Sequence, residues 1–207
     1  MRSARRFRHL VRHSLVVLAT GAALVLPFAA AAQNAGSVQE LAGQAYAGTT
    51  AARRALEPRA TILLGDQVET GEHSRVTMLL GRQTTVRLGE RGRVTIDRFL
   101  VEAGGEITLQ SGPVMVEHPD GGGSAERLRI RTSYGLIAVR GTRVFAGFEG
   151  KALAVFVERG EVAVRAAGQR VLLRAGDGTT IPAPGARPTP VAQWKAKRID
   201  ALFGGIR

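Results

Sequence analysis

The 207-residue chain contains no cysteine. That excludes a disulfide framework, a thiolate zinc site, an iron–sulfur cluster, a cysteine nucleophile and a lipidated-cysteine anchor. Aromatic residues are scarce at 5%, and lysine is confined to Lys151, Lys195 and Lys197. Histidine is nearly as rare. His9 and His13 lie near the start, leaving His73 and His118 in the body of the chain, both in or beside turns and both read as surface residues. No H-x-x-x-H, H-E-x-x-H or G-x-S-x-G spacing occurs. The glycine-rich run Asp120-Gly121-Gly122-Gly123-Ser124 lacks the Lys-Ser/Thr of a phosphate loop and reads as a hairpin loop. Asp66, Asp97 and Asp177 are the carboxylates a glycosidase would recruit. Asp66 and Asp177 each follow a glycine, where a bond from the side chain to the turn backbone accounts for them. The sequence therefore supplies no catalytic residue, no metal site and no cofactor site.

What is present is a basic, apolar start. Arg2, Arg5, Arg6, Arg8 and Arg12 precede an apolar run from Leu15 to Phe28, followed by Ala29 to Ala32. A basic region, an apolar stretch and small residues before a cleavage point make a secretory signal peptide over 1–32. The expected location is therefore the periplasm. The rival is an uncleaved signal anchor. Removing 1–32 lowers the formal charge from +12 to +7, with 24 basic and 17 acidic residues remaining. Much of the basicity that would suggest a nucleic-acid partner thus belongs to the leader, and none is expected.

From about Gly36 to Ile181 the chain reads as short runs rich in Val, Ile, Leu and Thr, punctuated by Gly, Asp and Pro. This predicts an all-β domain over 36–181, either an antiparallel two-sheet sandwich or a solenoid-like stack. Arg127-Leu128-Arg129-Ile130-Arg131 alternates, so its arginines share one face. Ala152 to Val157 is apolar throughout and predicts a strand covered on both sides. Glu158-Arg159-Gly160-Glu161 reads as a tight hairpin turn. Pro184, Pro188 and Pro190 mark a linker over 182–190, and a helix is expected over 191–204, with Thr189 as its cap and Gly204 as its stop. Val191, Trp194, Ile199 and Leu202 would share its apolar face, docked on the sheet. Contact with a membrane through this helix or the signal segment is the alternative.

The candidate site is a basic face. Arg127, Arg129 and Arg131, with Arg140 and Arg143 soon after, form a candidate patch for an anionic ligand, because guanidinium forks match carboxylates and phosphates.

Several motifs in order resemble one family. Gly65-Asp66-Gln67-Val68-Glu69-Thr70-Gly71 is similar to the G-D-x-V-x-T-G opening of FecR domains. Ser74-Arg75-Val76, Arg87-Leu88-Gly89-Glu90 and Val139-Arg140-Gly141-Thr142-Arg143-Val144 follow, then the hairpin-like Val155 to Val162 segment. Gly65, Asp66, Gly71, Gly141, Thr142 and Gly160 are the structural residues of these motifs. The resemblance implies an extracytoplasmic, non-catalytic all-β module. Its best-known members relay iron-citrate uptake to a sigma factor through a cytoplasmic tail, a membrane span and a further signalling domain. The stretch before the apolar run here is only about 14 residues, short for a folded domain, so that role is not carried over. The expectation is a periplasmic binding, scaffold or sensory module whose partner is a cell-envelope polymer or an envelope protein. The alternative is a membrane-anchored FecR-type regulator of a sigma-factor pathway.

Overall fold

The computed structural model describes residues 33–49, 52–100, 104–119 and 128–206. The expected signal peptide, the Asp120–Ser124 loop and Arg127 lie outside the described residues.

The first strands are β1 (Asn34–Ala42), β2 (Ala45–Thr49), β3 (Ala52–Ala55), β4 (Thr61–Leu63) and β5 (Gln67–Thr70). Then come β6 (Arg75–Leu80), β7 (Thr84–Leu88), β8 (Arg93–Leu100), β9 (Gly104–Ser111), β10 (Val114–His118) and β11 (Leu128–Arg131). Two long strands, β12 (Leu136–Glu149) and β13 (Ala152–Ala166), precede β14 (Gln169–Arg174), β15 (Asp177–Ile181) and β16 (Ala192–Gln193). A single helix, α1 (Ala196–Phe203), follows. The all-β class with one C-terminal helix is the one the sequence predicts.

The strands make one curled sheet with two arms. One arm runs β3-β2-β5-β8-β9-β11 and the other β4-β1-β6-β7-β10. Both end on β12: β11 pairs with its first part, Leu136 to Val139, and β10 with its second, Thr142 to Ala146. β13 runs antiparallel beside the whole of β12, from Leu136↔Arg165 to Glu149↔Ala152. β14 then extends the first arm, and β15 and β16 the second. The pairing of β11 with β9 is parallel, so the sheet is mixed.

Alternation turns the aliphatics of both arms into one core. Val68, Val94, Ile107, Ile130 and Val164 of the first arm join Ile62, Met78, Leu88, Val116 and Val155 of the second in a single buried cluster. A second cluster lies on the other side of the second arm. There Met115, Phe145, Ala154 and Phe156 are covered by Phe203, Ile206 and Trp194. The fully apolar run from Ala152 to Val157 is thus buried on both faces, as its lack of alternation predicts.

Two local expectations are corrected. Glu158 to Glu161 is not a hairpin turn, because β13 passes straight through it. The turns lie instead at Gly150-Lys151 and Ala167-Gly168. Gly160 (φ 86°) sits against Gly141 (φ 60°) where the β12–β13 register shifts. A Cβ on Gly160 would lie 2.4 Å from the Gly141 carbonyl oxygen and 2.5 Å from Thr142 Cγ2. These glycines let the paired strands bend from one arm into the other, a bulge rather than a reversal.

The helix is also shorter than expected. Thr189 does not cap it: its Oγ1 accepts from the Thr180 N–H (2.9 Å), and its carbonyl accepts from Thr179 Oγ1 (2.8 Å). Pro188 and Pro190 favour extended backbone, and Ala192-Gln193 adds to β15 as a strand. Val191 stays outside the helix and exposed. Gly204 keeps helical angles rather than a left-handed stop. Ile199, Leu202 and Phe203 pack on the aromatic cluster, so the apolar side of α1 faces the sheet. Among the described residues no helix is long and apolar enough to cross a membrane.

Candidate functional site

The outer face of the first arm is built by alternation. Leu128 and Ile130 point into the core, leaving Arg129 and Arg131 outside. Ile137 and Val139 do the same for Leu136, Ala138 and Arg140, and Val162 and Val164 for Glu161, Ala163 and Arg165. On β14, buried Leu173 and half-buried Val171 leave Arg170, Leu172 and Arg174 outside. Register aligns these into rows. Arg129↔Ala138↔Ala163↔Leu172 is one, Arg131↔Leu136↔Arg165↔Arg170 the next, and Arg140↔Glu161↔Arg174 the third.

On β11, the first part of β12, the last part of β13, and β14, that face carries six arginines and one carboxylate, Glu161. Ala138 and Ala163 are small, so the middle row is a trough. It is about 340 Å³, walled by Arg129, Arg140, Glu161, Arg165, Arg170 and Leu172. It adjoins a hollow of about 750 Å³ at the strand ends, lined by Arg131, Tyr134, Arg165 and Arg170.

The arginines differ in how they are neutralised. Glu106 on β9 is largely buried and gathers Arg131 in an ion pair, with Arg98 at 3.9 Å and Arg129 at 4.0 Å. Arg174 lies 3.6 Å from Glu161. Arg140, Arg165 and Arg170 pair with no carboxylate among the described residues. Arg165 and Arg170 are directly opposite on adjacent strands, a like-charge pair that costs stability unless an anion joins it.

The five arginines singled out in the sequence thus fall in different places. Arg129, Arg131 and Arg140 share the face. Arg143 sits past the bend on the second arm, its Nε 3.0 Å from Glu158, beside the Arg159–Glu117 pair at 2.9 Å, and it does not line the trough. Arg127 lies outside the described residues. Arg165 and Arg170 complete the face and were missed, because nothing local ties them to β11. The alternation in Val162-Ala163-Val164-Arg165 was the available signal.

The family-motif residues are framework. Asp66 is buried, takes a bidentate bond from Arg54 (3.0 and 2.5 Å) and accepts the Leu63 N–H at 2.8 Å. That carboxylate raises the Arg54 guanidinium above its usual range, despite the opposing effect of burial. Gly65 and Gly71 extend the pairing of β5 within the first arm, donating to the carbonyls of Ile96 (2.8 Å) and Gln44 (3.0 Å). Buried Thr70 adds a clasp unread from sequence: its Oγ1 donates to the Gly89 carbonyl (2.5 Å) and accepts the Gly92 N–H (2.8 Å). Thr142 is fully buried at the bend beside Gly141 and Gly160.

Asp97 accepts from Thr108 Oγ1 at 2.7 Å, and Asp177 accepts the Arg174 N–H at 2.9 Å. His73 is exposed as expected. His118 is not: the alternation that buries Val114 and Val116 also turns it inward, with Nδ1 2.9 Å from Thr84 Oγ1. No group of three metal-ligating side chains occurs among the described residues.

No curated protein matches the chain in sequence. Two crystal structures of a candidate anti-sigma factor from Parabacteroides distasonis share the fold. Each aligns with a TM-score of 0.58 at 13% identity over 67% of this chain. The match spans 65% of one of those chains and 64% of the other, just under two thirds of their length. The FecR protein family model matches residues 66–163, from the Asp66 turn across the bend of β12 and β13. Over residues 66–163, just under half of its length, the chain is similar to the FecR family.

Proposed function

We propose that this chain is an exported, non-catalytic FecR-type module that binds an anionic component of the cell envelope through the arginine face of β11 to β14. The observation that carries the reading is charge on a built surface: six arginines to one carboxylate, with Arg165 opposite Arg170 and neither paired with a carboxylate among the described residues. An alternating strand needs polar outer residues for solubility, yet like charges placed opposite are what stability alone avoids. A carboxylate or phosphate between them would take both guanidinium forks. Asp66, Asp97 and Asp177, the carboxylates a hydrolase would recruit, are each held by a turn or side-chain hydrogen bond, which favours a non-catalytic reading.

Retention of the purified protein on isolated cell envelope tests the face. Arg165→Glu with Arg170→Glu is expected to weaken retention about tenfold or more at low salt, the wild type approaching the variant as salt rises. Equal retention of the two proteins would return these arginines to a solvated surface. The location is tested separately by the mass of the exported protein, which is expected to begin at Gln33. An intact Met1 end would favour the anchored alternative.

A further inference from the structure

Among the described residues the sheet ends in four terminal strands, and one of them is long and uncovered. β3 has four residues, β4 three and β16 two, whereas β14 has six. It contains no proline, its register to β13 is unbroken, and β13 is its sole pairing partner among the described residues. Sheet edges are ordinarily shortened, bulged, covered, charged or broken by proline, and of these devices β14 carries only charge, at Arg170 and Arg174. The turn before β14 fixes which main-chain groups are free. Ala167 (φ 47°) and Gly168 (φ 76°) make a two-residue turn of the primed type, so Ala166↔Gln169 closes it as a hydrogen-bonded pair. Alternation then directs the main-chain groups of Val171 and Leu173 to β13, and those of Arg170 and Leu172 outward. The next outward N–H, that of Arg174, is taken by Asp177 Oδ2. Leu172 is also one of two large apolar side chains left exposed among the described residues.

We propose that the β14 edge takes an extended acidic segment of an envelope protein as an added strand. This rests on the reading of the arginine face as the ligand-binding surface, and it names the ligand. On the outer face, neighbours of the new strand would meet Arg170, Leu172 and Arg174 in turn. The fitting segment therefore reads acidic, apolar, acidic at every second position. Its other face would cover half-buried Val171. Free main-chain donors and acceptors select a polypeptide over a polyphosphate or a lipid headgroup, which cannot complete a ladder. A second copy of this chain is disfavoured by charge: antiparallel β14 against β14 centred on Leu172 sets Arg170 of one copy against Arg174 of the other.

The test uses the full chain and a synthetic peptide alternating glutamate, threonine, valine, threonine and glutamate. Binding is expected to slow amide exchange of Arg170 and Leu172 about tenfold or more. Leu172→Pro removes an outward N–H that β13 does not use, and keeps every charge. It is expected to weaken the peptide about tenfold, the loss of a main-chain bond and its geometry. If that variant misfolds by circular dichroism, the exchange measurement on wild type decides alone. Binding without protection at those two amides overturns the strand. So does equal binding of anionic phospholipid vesicles when Leu172→Pro has no effect. In either case loss of retention in the Arg165→Glu, Arg170→Glu variant leaves the arginine-face reading standing. If neither retention nor peptide binding responds to those charges, the reading of the face falls with it.

Discussion

At the scale of single residues, two ion pairs show how burial decides importance. Asp66 is nearly sealed from solvent, holds Arg54 with both oxygens and also caps the Leu63 N–H. Asp66→Ala strands a part-buried N–H and frees a partly covered guanidinium, at a cost of about 2–3 kcal/mol. Thermal denaturation should show a midpoint lowered by roughly 5–10 °C; an unchanged midpoint would mean that water replaces the carboxylate. Glu72 and Arg91 pair on the exposed surface. The Arg91 guanidinium, by hydrogen bond and then by charge, holds the Glu72 carboxyl below the usual carboxylate range. Any stabilisation from a lowered carboxyl is present above its unfolded pKa and disappears as pH falls through the lowered one. Solvent and salt screen this pair, so Glu72→Gln is expected to leave the neutral-pH midpoint unchanged at physiological salt. The Gly-Asp motif was legible because its turn chemistry is local. The Arg54 partner was not, since it comes from another strand 12 residues earlier.

At the scale of elements, the C-terminal segment is clamped by close fit. Trp194 stacks on Phe156 with ring centroids 5.8 Å apart, and the Arg198 guanidinium lies 3.6 Å over the indole. The ring reaches that position because Gly178 has no side chain. A Cβ there would stand 2.2 Å from Trp194 Cε2. Gly178→Ala must therefore lift the indole and loosen the cover over Met115, Phe145 and Phe156. The expected cost is about 1–3 kcal/mol. Trp194 is the sole tryptophan, so its fluorescence should shift to the red in the folded variant. Unchanged emission would show that the sheet yields instead of the strap. The docked helix itself was legible from its apolar spacing, but its start was not. Whether Thr189 caps a helix or joins a sheet edge depends on β15, which composition around the prolines does not reveal.

At the scale of the whole molecule, the all-β class was legible because alternation and turn residues recur along most of the chain. The parallel pairing of β9 with β11 and the division into two arms were not, since they depend on which strands meet across distance. Gly160 was misread as a hairpin turn for the same reason: one glycine in a strand signals a turn or a bulge alike, and only the partner strand separates them. The bend at Gly141 and Gly160 has a consequence for stability. β12 and β13 belong to both arms, and the aliphatics of both arms share one cluster. Neither arm can lose its pairing without exposing the inner face of the other. Unfolding in urea is therefore expected to be a single transition. Trp194 reports on the second arm through its stack on Phe156, while far-ultraviolet circular dichroism averages over all strands. The two midpoints should coincide. An earlier fluorescence midpoint in wild type, with the dichroism unchanged, would mean that the C-terminal strap detaches first and that the bend does not couple it to the core. Gly160→Val serves as the control, since it disrupts the shared strands without touching the tryptophan. It should lower both midpoints together.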